Sequence, residues 1–184
     1  MKPIVKIAGL LAVALSTTFA QQAKPAGGGA ALAFTLTSSA FAPGAAIPAQ
    51  YSCKGADTSP PLEWSGVPAN TATFAIIMDD PDAPGGTWVH WLIWNFPLGG
   101  NGMSEGTPRF ERFDDGGRQG RNSFHKIGYY GPCPPAGATH RYFFRLYALD
   151  AKLDLAAGAS RSQLDAAMKG HVLAETEYMG TFHR

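Results

Sequence analysis

The feature that most constrains the fold is a series of short apolar runs separated by turn-forming residues. Residues 73–78 read TFAIIM and residues 89–96 read VHWLIWNF, two continuous apolar runs that are typical of strands buried on both faces. Residues 32–37 and 141–149 instead alternate, which predicts strands with two distinct faces. Turn clusters rich in glycine and proline lie between the runs, at 43–44, 55–61, 81–86, 99–102 and 131–137.

One helix is indicated near the C-terminus. Ser160 and Gln163 form an S-x-x-Q capping box, apolar residues at helical spacing follow, and Gly170 is a natural stop. A short strand is expected at 178–182. Several strands, one late helix and wide turn-rich loops predict a mainly β fold, a β-sandwich with a minor helix.

The composition excludes some classes of protein. Apolar residues make up 45% of the chain and charged residues 16%, which argues against intrinsic disorder. Lysine plus arginine is 15 and aspartate plus glutamate is 14, giving a formal net charge of +1. A nucleic-acid binder needs a basic excess on one face, so no nucleic-acid partner is expected.

The N-terminus has the pattern of a secretory signal. Two lysines precede an apolar run at 7–15, and small residues around Ala20 make cleavage near that position plausible. The run is shorter than the roughly 20 residues that span a bilayer, and no cysteine lies directly after it as in a lipoprotein signal. We therefore expect a periplasmic or secreted protein with no stable membrane anchor.

The length of 184 residues accommodates one domain with a tail. The expected division is a signal peptide at 1–20, a flexible Gly-rich leader at 21–31 (QQAKPAGGGAA) and a domain at 32–184.

The chain has two cysteines, Cys53 and Cys133. Export to an oxidising compartment favours a disulfide between them. That bridge would close a loop of 133 − 53 = 80 residues, for which a chain-entropy treatment gives about 4–5 kcal/mol of stabilisation. The alternative is two free, buried thiols.

Three segments place polar groups where a predicted strand meets its loops. They are the DDPDAP segment at 79–84, His90-Trp91, and the GPCPP segment at 131–135 with HRY at 140–142. A rigid β scaffold can hold a small polar pocket at such a place. In that pocket a carboxylate of Asp80 or Asp82 would orient an imidazole, and two histidines and a tyrosine hydroxyl would donate hydrogen bonds to an anion. Taken singly, the Asp-Pro clusters read as ordinary turns and each histidine as a structural residue.

The combination of motifs resembles the phosphatidylethanolamine-binding protein family, and within it the bacterial Raf-kinase-inhibitor-like branch of the YbhB/YbcL type. The resemblance rests on DPDAP, then HW, then GYYGPCPP, then HRY, in this order, supported by SCKGADTSPPLEW at 52–64 and by the C-terminal segment 168–181. It covers essentially the whole chain from residue 34 to the end.

The resemblance implies a sandwich of two antiparallel sheets with an anion pocket at one end. Carried over residue by residue, the pocket comprises Asp80, Pro81, Asp82, His90, Gly131, Pro132, His140 and Tyr142. Members of the family act as binding or inhibitory proteins and are not established enzymes. In the family the pocket accepts phosphate-like head groups, so the resemblance implies a small anionic ligand of phosphate type. No cofactor is expected, and no metal either, because the two candidate histidines lie 140 − 90 = 50 residues apart and no compact ligand motif is present.

Two other functions remain open. One is a hydrolase that uses a His/Asp pair as general base, although the sequence has neither a G-x-S-x-G nor an H-E-x-x-H motif. The other is an inhibitor of a protease or a kinase acting through a protein interface, which rests on family analogy alone. No feature of the sequence identifies a protein partner.

Overall fold

The structure is a computed structural model that describes Met1, residues 32–97 and residues 99–184. The signal peptide expected at 1–20, beyond Met1, and the leader expected at 21–31 lie outside the described residues. Among the described residues, no helix has the length and apolar character that crossing a bilayer requires.

The described residues form two antiparallel sheets and one α-helix. The strands and the helix are β1 (Thr35–Thr37), β2 (Leu62–Ser65), β3 (Thr73–Asp80), β4 (Trp88–Phe96), β5 (Gly102–Met103), β6 (Arg118–Gln119), β7 (Thr139–Leu149), α1 (Arg161–Met168) and β8 (Val172–His183). The small sheet has the order β1-β2-β5 and the large sheet has the order β6-β4-β3-β7-β8. The prediction of a mainly β fold with two antiparallel sheets is confirmed.

Strand β3 lies at the centre of the large sheet and is buried along its whole length. Phe74 belongs to the core between the two sheets, where its ring packs 5.1 Å from that of Trp64 on β2. Ala75 and Ile77 belong to a second core that includes Leu164 of α1. Because both faces of β3 are covered, its sequence is a continuous apolar run instead of an alternating one.

Helix α1 begins as its sequence predicts. The side chain of Ser160 accepts a hydrogen bond from the backbone N–H of Gln163, and the Gln163 side chain accepts one from the backbone N–H of Ser160. Leu164 and Met168 are the buried residues of the helix, and Gly170 follows it with φ of +87°. That left-handed conformation suits glycine and ends the helix.

Two parts of the sheet differ from the sequence-based expectation. Strand β8 runs from Val172 to His183 and pairs with β7 along its full length, whereas the sequence predicts a short strand at 178–182. The first half of β8 has no buried residue and its apolar residues do not alternate, so its hydrogen bonds to β7 determine its conformation and its sequence pattern does not predict it. The strand predicted at 32–37 is shortened to Thr35–Thr37, and the four-residue strand β2, which follows two prolines, is not predicted.

Candidate functional site

The candidate site lies where β3 ends and β4 and β7 begin. Asp80 is the last residue of β3, His90 is the third residue of β4, and His140 is the second residue of β7. Strand β3 pairs with both β4 and β7, so these three positions fall at one end of the large sheet.

A β-bulge sets the position of His90. Met78 pairs with Trp91 and Asp79 pairs with Val89, so His90 has no partner on β3. A bulge of this kind bends the strand and redirects a side chain, and bulges are common beside functional sites. The backbone carbonyl of His90 instead accepts hydrogen bonds from the N–H of Tyr130 at 3.2 Å and from the side-chain amide of Asn122 at 3.3 Å.

The ring of His90 is held in one tautomer. Its Nδ1 lies 2.6 Å from the carbonyl oxygen of Tyr130, and because a carbonyl only accepts, Nδ1 carries the proton. The side chain is almost fully buried, between the rings of Phe124 and Tyr142, which both meet it edge-on. Burial lowers the pKa of His90, against the opposing effects of the Tyr130 carbonyl and the Asp80 carboxylate.

His140 forms a buried pair with Asp80. The Nδ1 of His140 lies 2.7 Å from Oδ2 of Asp80, and both side chains are less than a tenth exposed. The other oxygen of Asp80 accepts a hydrogen bond from the backbone N–H of Asp82 at 2.8 Å. The carboxylate is therefore held by the turn that follows β3, and it fixes the orientation of the His140 ring.

Both imidazoles line one cavity of about 340 Å³, at the lower end of the range for small-molecule sites. Its polar lining consists of Asp80, His90, His140 and Arg184. The rest of the lining is mostly apolar and is formed by Ala83, Pro84, Trp88, Phe124, Cys133, Pro134 and Pro135. Because Nδ1 of each imidazole is engaged by the protein, Nε2 of each ring remains for a ligand.

The structure thus brings together Asp80, His90 and His140 among the residues predicted for the site. It places Tyr142 elsewhere: this side chain is buried in the core against the ring of His90 and does not line the cavity. Its hydroxyl has no hydrogen-bond partner among the described residues. Burial, reinforced by the negative charge of Asp80, raises the pKa of Tyr142 well above its usual value.

Asp82 and Pro81 also lie outside the lining. The Asp82 carboxylate accepts hydrogen bonds from the guanidinium of Arg141 at 2.7 and 2.9 Å and from its backbone N–H at 2.9 Å. The Arg141 hydrogen bonds lower the pKa of Asp82 to about 2. Pro81 is exposed in the turn between the two aspartates. The turn is therefore tied to β7, and Asp82 supports the site without facing the cavity.

Gly131 and Pro132 lie behind the cavity wall formed by residues 133–135. The N–H of Gly131 donates to Oδ1 of Asp57 at 2.7 Å, and the carbonyl of Pro132 accepts from the N–H of Cys53 at 3.1 Å. A Cβ on Gly131 would lie 2.0 Å from the carbonyl oxygen of Tyr51, so only glycine fits there.

The predicted disulfide between Cys53 and Cys133 is present and joins the same two segments of chain. With the hydrogen bonds of Gly131 and Pro132, it fixes the wall of the cavity to the segment around Asp57.

Arg109 supports the residue that orients His90, and no sequence motif points to it. Its guanidinium donates to the carbonyl of Tyr129 at 2.8 Å and to Oδ2 of Asp57 at 2.7 Å. It also lies 4.0 Å from the centre of the Tyr130 ring. These contacts fix the backbone that presents the Tyr130 carbonyl to His90.

Ala83, Pro84 and residues 133–135 belong to the two segments predicted for the pocket, whereas Trp88, Phe124 and Arg184 are absent from the sequence-based prediction. Trp88 lies two positions before His90 on β4 and is partly exposed, which the strand pattern could have suggested. No local sequence pattern predicts that Phe124 or Arg184 lies at the cavity, because long-range contacts bring both residues there. Among the described residues, no three His, Cys, Asp or Glu side chains are grouped as metal ligands would be.

The chain is similar to several known proteins. Its residues 37–183 match the profile of the family described as phosphatidylethanolamine-binding protein. A UPF0098 protein of Methanothermobacter thermautotrophicus is 49% identical over 149 residues, covering 81% of this chain and 98% of that protein. LppC of Mycobacterium tuberculosis, which is named as a lipoprotein, is 44% identical over 155 residues. The matched region covers 83% of this chain and 74% of LppC.

Two solved structures have a similar fold. A phosphatidylethanolamine-binding protein homologue from Chlamydia trachomatis has a TM-score of 0.75 and 41% identity, covering 83% of this chain and 98% of its own. YbcL of Escherichia coli has a TM-score of 0.75 and 31% identity, and the match covers 82% of this chain and 98% of YbcL. With the profile match spanning most of the sequence, these similarities show that the chain belongs to the phosphatidylethanolamine-binding protein family.

Proposed function

We propose that the protein is a binding protein that takes a small anionic ligand of phosphate type into the cavity at the ends of β3, β4 and β7. The observation that carries the proposal is the pair of imidazoles, His90 and His140, that line one cavity while Nδ1 of each is engaged by the protein. In the imidazolium form, each Nε2–H can donate to an oxygen of the ligand.

The cavity is well suited to binding without a large rearrangement. Prolines 84, 134 and 135 line it, and the disulfide holds one wall. Proline and a covalent bridge reduce the number of conformations that a wall can adopt, so less free energy is spent on ordering it when a ligand binds.

A hydrolytic role has weaker support. The Asp80–His140 pair has the chemical types of a general base and its orienting carboxylate. However, the described residues that line the cavity include no serine or threonine, and the sulfur of Cys133 is in a disulfide. We therefore propose binding and not turnover, and any inhibitory role would follow from occupancy of the cavity.

We also propose that the protein is exported. The signal-like pattern at 1–20 supports this, as does the disulfide, which persists in oxidising compartments. The relative LppC bears the name of a lipoprotein. Cell fractionation, combined with mass spectrometry of the product, tests the proposed export. We expect a chain that begins near residue 21 and lies outside the cytoplasm. An uncleaved chain in the cytoplasm would contradict the proposal.

The binding proposal is tested by titrating the protein with inorganic phosphate, followed by NMR of the histidine ring nitrogens and by calorimetry. We expect saturable shifts at His90 and His140. His140→Asn should weaken binding by about tenfold or more, the loss of one charge-assisted hydrogen bond.

His125→Asn is the matched control, because His125 is exposed, does not line this cavity and has φ of +60°, which asparagine tolerates. It should bind as the unmodified protein does. If phosphate produces no saturable shift at either ring, the proposal is wrong; if the protein hydrolyses 4-nitrophenyl phosphate and His140→Asn abolishes this, the enzymatic alternative replaces it.

A further inference from the structure

Arg184 is carried to the cavity by the last strand of the large sheet. Strand β8 ends with His183 paired to Thr139, the residue before His140. The N–H of Arg184 then donates to the carbonyl of Ala138 at 3.2 Å, and its own carbonyl accepts from the N–H of Gly137 at 2.6 Å. The backbone of Arg184 is thereby fixed beside the start of β7, close to His140.

The guanidinium of Arg184 has few protein contacts. Its Nη1 donates to the carbonyl oxygen of Pro134 at 3.5 Å, a long distance for a hydrogen bond, and to Sγ of Cys133 at 3.8 Å, and sulfur is a weak acceptor. Arg184 is exposed and lines the cavity. A guanidinium has five N–H donors, so most of them remain for a ligand.

The other ionisable groups at the cavity do not by themselves favour an anion. Asp80 is a carboxylate at the site, and its negative charge opposes an anion. His90 is nearly fully buried, which favours its neutral form, and His140 is already paired with Asp80. Among the described residues that line the cavity, Arg184 is the only lysine or arginine, and therefore its only permanent positive charge.

We propose that Arg184 is a ligand-binding residue of this cavity that determines its selectivity for anions, with its guanidinium donating to the oxygens of the ligand. This inference rests on the proposed function. The planar, forked guanidinium matches the oxygens of a phosphate group better than an ammonium does.

The test is calorimetric titration of the full mature chain with inorganic phosphate. Arg184→Gln should weaken binding at least tenfold, which corresponds to a charge-assisted hydrogen bond, and Arg184→Lys should restore part of the loss. Affinity should decrease as sodium chloride is added, and less steeply for Arg184→Gln, because salt screens an exposed charge.

The matched control is Arg112→Gln, which removes the same charge from an exposed residue that does not line the cavity. It should change neither the affinity nor its salt dependence. If Arg184→Gln binds phosphate as the unmodified protein does, the inference is wrong while the proposed function stands. If the unmodified protein binds no phosphate, both are wrong.

A purely structural role for Arg184 predicts a different result. A residue that only clamped the wall at Pro134 would, when replaced, lower the unfolding midpoint and shift the NMR signals of the 133–135 segment, and lysine would not restore phosphate affinity. That pattern would overturn the inference even if binding were weakened.

Discussion

The Nδ1 of His140 lies 2.7 Å from Oδ2 of Asp80, so the proton on that ring nitrogen points to the carboxylate. His90 likewise donates from Nδ1 to the carbonyl of Tyr130. In the neutral form of each ring, Nε2 then has a lone pair and no proton. An anion without protons of its own can be bound by either Nε2 only if the imidazole gains a proton.

We therefore predict that binding of sulfate, which stays dianionic across the neutral range, is coupled to proton uptake. Burial lowers the pKa of His90 in the free protein, and a bound anion raises it, so protons are taken up at pH values between the two. Affinity should increase as pH falls from 8 towards 6, with about one proton or more taken up. Calorimetry in buffers of different ionisation enthalpy measures this number, and pH-independent binding with no uptake would contradict the prediction.

Arg109 should act as a positioning residue for His90. Arg109→Met removes the hydrogen bonds to Tyr129 and Asp57 and loosens the backbone that presents the Tyr130 carbonyl. The loss of such a hydrogen bond corresponds to roughly two- to tenfold weaker phosphate binding. The Nδ1 signal of His90 should move in the free protein, a change that general destabilisation does not produce. Arg112→Met is the control, and an unchanged His90 signal would refute the role.

The sequence predicts those parts of the fold that local pattern determines. The burial of β3 on both faces and the capping box of α1 follow from runs of fewer than ten residues, and both are confirmed. The bulge at His90 and the contact of Arg109 with Asp57 could not be predicted in this way. They depend on segments that are distant in the chain, and Arg109 and Asp57 are 52 residues apart.

The burial of Tyr142 could be predicted from the sequence, but its place outside the cavity lining could not. Tyr142 shares its face of β7 with Phe144, Leu146 and Ala148, all buried, and also with His140, which lines the cavity. The family motif suggested the cavity instead. Asp82 shows the opposite case, because the turn after β3 sends its carboxylate to Arg141 and no periodic pattern reports that direction.

Gly131 should tolerate no side chain. In Gly131→Ala the new Cβ would meet the Tyr51 carbonyl oxygen at 2.0 Å, and backbone must shift to relieve the clash. Overpacking of this kind lowers the free energy of unfolding by about 1–3 kcal/mol. Urea denaturation measures the loss, and phosphate affinity should fall with it because the shift reaches the wall of the cavity.

The control for this substitution is Gly85→Ala. Gly85 lies in the turn beside Pro84, a Cβ added to it would have no atom within 4 Å, and its backbone is not left-handed. This variant should unfold at the same urea concentration as the unmodified protein. Equal stability of the two alanine variants would show that the wall accommodates a side chain.

The disulfide should contribute strongly to stability. It links residues 80 apart in sequence, and removal of a native bridge from a small domain lowers the free energy of unfolding by about 2–5 kcal/mol. We expect this loss in the Cys53→Ser, Cys133→Ser double variant and in the unmodified protein with dithiothreitol. The double variant should not respond to dithiothreitol, and a bridge without effect on the urea midpoint would contradict the prediction.

The Asp82–Arg141 pair should give stability that depends on pH in a defined window. The Arg141 hydrogen bonds lower the pKa of Asp82 from 3.8 to about 2 in the folded protein. A carboxyl group whose pKa is lower in the folded than in the unfolded state stabilises the fold above its unfolded pKa, and this contribution is lost as pH falls through the folded pKa. Asp82→Asn should therefore be less stable than the unmodified protein at pH 7, and the difference should shrink between about pH 4 and pH 2. Urea denaturation at several pH values measures this, with Asp114→Asn, a substitution at an exposed aspartate, as the reference. A difference that stays constant down to pH 2 would mean that the pair with Arg141 does not stabilise the turn behind the cavity.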